Sequence, residues 1–176
     1  MEAARILVIR GGALGDFILT LPALALLREA FPKAHIELLG YPHILEVARG
    51  RYYADAVRSI ESRELASFFN PKADLDPAWC AYFSSFKQVV SYLFDPDGFF
   101  EGSLRRAGVR HLLTGSPKIT DRNHAAVQLA EPLQRLALFL ESPVARIYPT
   151  ESDLAEAQRL FPGSDRKRIT VHPGSG

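Results

Sequence analysis

Cysteine is almost missing from this sequence: Cys80 is the one thiol in 176 residues, so no intramolecular disulfide can form. That usage fits a reducing compartment, and Cys80 is expected to be a small core residue beside Trp79. Long apolar runs are missing too. None approaches the roughly 20 residues that a membrane-crossing helix needs. The start, Met1-Glu2-Ala3-Ala4-Arg5, leads straight into an apolar stretch without the pattern of a signal peptide, so a soluble cytoplasmic protein is expected. An excess of charge of either sign is also lacking. The 21 basic and 20 acidic residues leave a net charge of +1, which removes any global electrostatic case for nucleic acid or for a membrane surface. No internal repeat and no low-complexity tract occurs.

What is present is enough apolar material, 47% of the residues, for one substantial core but not for a second full domain. Arg5 to Arg10 is a continuous apolar, β-branched run closed by Gly11-Gly12, the pattern of a strand buried on both faces of a parallel sheet. From Asp16 to Phe31 apolar residues recur at steps of three and four, which marks one side of a helix. Pro22 falls inside that helix. Either the helix kinks there, or an irregular turn precedes a helix capped by Thr20. His35 to Gly40 reads as a second strand and Pro42 to Arg49 as a short helix. Val57 to Ile60 reads as a strand, Glu61 to Phe69 as a helical turn, Pro77 to Phe86 as a helix and Gln88 to Phe94 as a strand. A helix closing at Leu104 to Ala107, a brief strand at His111 to Leu113, the longest amphipathic pattern over Asn123 to Leu140, interrupted by Pro132, and a helix over Ser152 to Leu160 follow. Arg168 to His172 reads as one more strand. Alternation of strands and helices implies an α/β, Rossmann-like parallel sheet with helices on both faces.

Gly11-Gly12-Ala13-Leu14-Gly15-Asp16 joins the first strand to the first helix, where open α/β sheets place their ligands. A dinucleotide fingerprint needs Gly-x-Gly-x-x-Gly and an acidic residue closing the second strand, and neither occurs. The Gly-Lys-Ser/Thr of a Walker loop is missing as well. Asp16 lies where a phosphate would otherwise meet the helix N-terminus, so the loop favours a neutral group such as a sugar hydroxyl. Glycines at 12 and 15 let a substrate approach the backbone closely. An oriented carboxylate at the mouth of a cleft is what a general base needs to take a proton from an attacking hydroxyl. Asp16 can equally serve as a helix cap, and one carboxylate has oxygens for both tasks.

The stretch from Gly11 to Gly40, GGALGDFILTLPALALLREAFPKAHIELLG, resembles the opening of glycosyltransferase family nine, the lipopolysaccharide heptosyltransferases. The shared features are Leu14-Gly15-Asp16, then Thr20-Leu21-Pro22-Ala23-Leu24 and Leu27-Arg28 on the helix, then Pro32 before the second strand. Gly11-Gly12 departs from the Ser or Thr residues that relatives often carry. The resemblance implies the N-terminal, acceptor-side half of a GT-B fold. It implies Asp16 as catalytic base and Gly12, Leu14 and Gly15 as acceptor-loop residues. The donor would be ADP-heptose or a similar nucleotide sugar and the acceptor a lipopolysaccharide-type glycolipid, with no metal and no cofactor. The protein would work in a bacterial cytoplasm, at most peripherally at the inner membrane.

A second match, Arg168 to Gly176, resembles the first strand and nucleotide-contacting loop of the family's C-terminal domain, with His172, Gly174, Ser175 and Gly176 as donor-binding residues. Residues 1–161 then form the acceptor domain, and 162–176 a linker and the start of a truncated donor domain. The fragment alone is expected to be inactive. Arg105, Arg106, Arg110, Lys118 and Arg122 cluster with His111 and His124 and are opposed only by Asp121. Arg105, Arg106, Arg122 and His124 are candidate contacts for an anionic acceptor, although such a cluster is also what a solvated basic face looks like. Asp95-Pro96-Asp97-Gly98 reads as a tight turn, not a metal site. The rival function is a non-catalytic module that binds an anionic glycan.

Overall fold

A computed structural model describes residues 3–163 together with Ile169 and Val171. Five strands, β1 (Arg5–Arg10), β2 (His35–Gly40), β3 (Ala56–Ser59), β4 (Gln88–Ser91) and β5 (Leu112–Thr114), form one sheet in the order β3-β2-β1-β4-β5. Every pairing is parallel, and β1 lies between β2 and β4 along most of its length. The helices are α1 (Leu14–Ala30), α2 (Pro42–Leu45), α3 (Pro77–Ser84), α4 (Phe99–Arg106), α5 (Ala125–Ala130) and α6 (Glu151–Leu160).

Side chains alternate across a strand, and in β1 that alternation feeds two separate cores. Ile6 and Val8 pack with α1 and α5, whereas Leu7 and Ile9 pack with Trp79 and Phe83 of α3 and Phe100 and Leu104 of α4. A strand buried on both faces can therefore be apolar at every position, which is why β1 reads as an unbroken run. Cys80 packs at the edge of the second core, beside Trp79.

Helix α1 runs without a break through Pro22, and its N-cap is Ala13, so Thr20 does not cap it. Pro22 brings no N–H to the Ile18 carbonyl. The preceding turn is tied by side chains instead: the buried Thr20 hydroxyl donates to the Asp16 carbonyl at 2.8 Å, and Arg10 donates to that same oxygen at 3.3 Å. The amphipathic stretch after Asn123 is interrupted at its proline. It divides into the six-residue α5 and a 3-10 segment, Glu131–Leu136, with Pro132 in its first turn. Ala137, in the left-handed region at φ 58°, ends the segment. The chain then crosses the α1 face as an irregular strip in which Leu138, Leu140, Ala145 and Tyr148 cover the first core. The Tyr53 hydroxyl donates to the Arg146 carbonyl at 2.7 Å and anchors the strip. Burial pushes the Tyr53 phenol up to about 12.

Helix α6 buries no residue of its own. It is fastened at its start, where Arg51 makes two hydrogen bonds to Asp153 at 2.9 and 2.7 Å and Asp153 accepts from the Thr150 N–H. The Thr150 N–H and Arg51 lower the Asp153 carboxyl to about 2. A carboxyl lowered in the folded state contributes above its unfolded value of roughly 3.9 and loses that contribution as pH falls through the folded one. Acidification from pH 4 to 2 is therefore expected to release α6 from Arg51. Amide exchange at 150–160 followed across that range checks this, and uniform protection down to pH 2 would contradict it.

The expected strand at Arg168–His172 and the loop residues Gly174, Ser175 and Gly176 lie outside the described residues, apart from Ile169 and Val171.

Candidate active site

The chain order sends β2 and β3 to one side of β1 and β4 and β5 to the other. At such a reversal, at the carboxyl ends of the strands, open α/β sheets place their ligands, and the loop leaving β1 lies there. Gly11 to Ala13 join β1 to α1 at this end of the sheet. The loop lies close to its neighbour: a side chain on Gly11 would come within 3.3 Å of Leu93, just past β4. Gly12 turns the chain at φ +97°, a region that L side chains rarely adopt.

Asp16 is the third residue of α1. Its Oδ2 accepts from the Ala13 N–H at 3.0 Å, so the carboxylate folds back over the loop and satisfies one of the free donors of the helix start. Ala13 has no acceptor to return. The Asp16 side chain remains 48% exposed, with Oδ1 3.8 Å from Nη2 of Arg10. A Cβ on residue 12 would fall 2.8 Å from Oδ2, so the glycine leaves the space that the carboxylate occupies.

Arg10 is the residue that sequence reasoning missed. Its side chain is 3% exposed. Nε donates to Thr20 Oγ1 at 3.1 Å, and Nη2 reaches the Asp16 carbonyl. Burial pulls this guanidinium below its ordinary value, while Asp16 and Tyr92 act in the opposite direction. An arginine ending an otherwise apolar central strand was the available signal, because a charged residue is buried at such a place only with partners waiting for it. The result is a cation beneath a half-exposed carboxylate, both attached to the first turn of α1.

Substituting Gly12 by Ala is expected to cost about 1–2 kcal/mol from its backbone conformation and to displace the Asp16 carboxylate. Gly15, with open space around its Cβ position and a helical conformation, is the matched control. Gly15→Ala should be neutral or slightly stabilising, since alanine is the better helix former. Urea unfolding of the two variants checks the contrast, and equal midpoints would refute it.

The remaining sequence candidates divide between the two rims of the sheet. Leu14 is 51% exposed beside Asp16. Arg105 and Arg106 are not brought to this site. A helix following a parallel strand runs back along the sheet, so the last turn of α4 lies at the opposite rim, where the strands begin. Arg105 reaches back along the helix to Glu101 in its first turn at 3.1 Å, and Arg106 donates to the carbonyls of Pro71 and Ala73. Arg122 follows β5 and makes two bonds to Glu131 at 2.8 and 3.0 Å. His124 caps α5, its Nδ1 accepting from the Ala126 N–H at 3.2 Å, and α5 packs in the same core as α1. The Asp95 carboxylate accepts from the Phe100 and Glu101 N–H groups, and Gly98 N–H donates to its carbonyl, so the 95–98 segment turns the chain into α4. Among the described residues no group of three or more His, Cys, Asp or Glu is placed to hold a metal ion, and no helix is long and apolar enough to cross a membrane.

Fold and site together define a Rossmann-like α/β domain with a half-exposed carboxylate at the switch point of its sheet. No family model and no curated protein matches the sequence. Among solved structures, the chain is similar to the family 9 glycosyl transferase from Veillonella parvula DSM 2008, with 19% identity and a TM-score of 0.59 over 92% of this chain and 50% of that one. It is also similar to the E. coli heptosyltransferase WaaC with ADP, at 13% identity and a TM-score of 0.50 over 92% of this chain and 55% of that one. At such identities the likeness is one of fold. The chain spans about half the length of each.

Proposed function

We propose that this domain is the N-terminal, acceptor-side half of a GT-B glycosyltransferase and that Asp16 is its general base. The observation that carries the reading is the Asp16 carboxylate, anchored by Ala13 N–H through one oxygen, backed by buried Arg10 and half exposed at the switch point of the sheet. A general base must be fixed and still reachable by the proton it takes. One oxygen of Asp16 is held and the other is free to accept from an acceptor hydroxyl.

In the reaction proposed, the acceptor O–H proton passes to Asp16 as the oxygen attacks the anomeric carbon of the donor sugar. The bond to the nucleoside diphosphate breaks on the opposite side, giving inversion. The donor would be ADP-heptose or a similar sugar, consistent with the ADP bound by one structural neighbour. A second domain would hold it, with His172, Gly174, Ser175 and Gly176 contributing to the diphosphate loop. Gly12, Leu14 and Gly15 would shape the acceptor side, with Arg122 and His124 at its margin. The acceptor would be a lipopolysaccharide-type glycolipid met at the cytoplasmic face of a bacterial inner membrane. Because positioning and leaving-group stabilisation both require the second domain, residues 1–176 alone would not turn over ADP-heptose. The decisive experiment is Asp16→Asn in a two-domain protein carrying this domain, with sugar transfer as the readout.

A further inference from the structure

Away from Asp16, a cavity of about 350 Å³ lies between the second half of α1 and the irregular strip that follows the 3-10 segment. Pro22, Ala25 and Leu26 of α1 line it together with Tyr53, and Phe139 and Val144 of the strip stand 63% and 64% exposed at its mouth. Small-molecule sites have volumes of about 300–1,000 Å³ and a mostly apolar lining, and this cavity has both. The strip is fixed where it forms the wall. Tyr53 holds the Arg146 carbonyl at 2.7 Å, the Tyr148 ring stacks on Tyr52 at 4.7 Å, and Ser142 Oγ accepts from the Val144 N–H at 3.4 Å. The cavity is therefore formed in advance, and a ligand is spared the cost of ordering its wall.

Three charged side chains line the same cavity, Glu29, Glu141 and Arg146. Glu29 accepts from the Tyr52 hydroxyl at 3.4 Å. Glu141 and Arg146 are uncommitted: among the described residues neither side chain takes part in an ion pair or a hydrogen bond. Nearby arginines are occupied, Arg28 by Asp55 and Arg51 by Asp153. A carboxylate and a guanidinium that line one apolar cavity without neutralising each other offer an acceptor for an ammonium and a fork of donors for a carboxylate. A neutral apolar ligand would take water from both charges and return nothing for it. A molecule carrying both charges beside an apolar group satisfies the whole lining.

We infer that this cavity binds a zwitterionic α-amino acid with a large apolar side chain. The side chain lies against Pro22, Leu26 and Phe139, the ammonium on Glu141 and the carboxylate on Arg146. The site stands apart from the sugar-transfer reading and shares no residue with it. An amine without a carboxylate leaves Arg146 without a ligand, and an acid without an amine leaves Glu141 without one.

The test is a titration of the 176-residue chain, read by amide NMR shifts, with phenylalanine, phenethylamine, 3-phenylpropionate and alanine as probes. Phenylalanine should shift residues 22–29 and 139–148. Phenethylamine and 3-phenylpropionate, which each lack one charge, should bind about tenfold more weakly, the low end for a hydrogen bond to a charged group. Alanine, without the apolar group, should give no saturable shift. Arg146→Met should bring phenylalanine down to the affinity of phenethylamine and leave phenethylamine unchanged, and Glu141→Gln should bring it down to that of 3-phenylpropionate. Phe139→Ala should weaken the three aromatic probes about threefold. All three side chains are exposed, and the Arg146 carbonyl that Tyr53 holds is untouched by the substitution, so the variants should keep the wild-type amide spectrum elsewhere. Asp16→Asn should leave every affinity unchanged, which separates this site from the catalytic proposal. Equal binding of phenylalanine and phenethylamine, shifts confined to other regions, a preference for phenylalanine that survives Arg146→Met and Glu141→Gln, or a dimer in sedimentation whose interface protects 139–148 would each overturn the inference.

Discussion

Asp16→Asn in a two-domain protein is expected to reduce sugar transfer about 10²–10⁴-fold, the usual contribution of a positioned general base. The substitution is suited to the question because it keeps the shape of the side chain. The Asn carbonyl oxygen can still accept from Ala13 N–H, the bond that folds Asp16 back over the loop. Arg10 also keeps its hydrogen bonds to the Thr20 hydroxyl and the residue-16 carbonyl, neither of which depends on the carboxylate. The thermal midpoint should therefore move little while the rate collapses. The affinity for the nucleotide sugar should also stay close to wild type, because the donor is proposed to sit on the second domain. Retention of more than a tenth of the transfer rate would remove Asp16 from the base's role. A parallel fall in rate and midpoint would instead make Asp16 a helix-start residue with no chemical part.

Gly40→Ala should be the most damaging small substitution in the sheet, costing about 3 kcal/mol, at the upper end of ordinary overpacking. A Cβ at this position would lie 2.3 Å from the backbone oxygen of Arg10 and 3.2 Å from Leu45 Cδ1. The first contact is the serious one. Gly40 and Arg10 are register partners at the ends of β2 and β1, so the clash is between two paired strands and no rotamer can relieve it. Gly40 also accepts the Ile60 N–H at 3.0 Å, which ties β3 to the same edge. Forcing the strands apart would shift Arg10, and with it the cation beneath Asp16. Chemical denaturation with a linear extrapolation measures the loss. A midpoint within experimental error of wild type would show that the sheet end can yield, contrary to the packing described here.

Much of the framework was legible because its signals are local. The unbroken apolar run at Arg5–Arg10, the spacing of Leu21, Leu24 and Leu27, and the small residues at 11–15 locate β1, α1 and the loop between them without reference to any distant contact. The same is true of the Asp95–Gly98 turn, whose residues carry their own backbone preferences. Segments governed by neighbours were read less well. Thr20 has the composition of a cap, yet it lies inside a helix because Arg10 and the Asp16 carbonyl engage its hydroxyl. The pattern from Asn123 to Leu140 has helical spacing, yet Pro132 and packing over α1 turn its second half into a 3-10 segment and an irregular strip.

For the site, the sequence by itself determined Asp16 and the glycines around it, since a strand, a small-residue loop and a helix start are contiguous in the chain. Only the tertiary structure decided what surrounds them. It brought Arg10 under the carboxylate, paired Arg105 with Glu101, tied Arg106 to the carbonyls of Pro71 and Ala73, and set Lys118 over Phe94. The physical reason is that hydrophobic periodicity records which face of an element is buried. Which rim of a sheet a charged side chain reaches depends on strand order and helix direction, and these are settled when the whole chain packs.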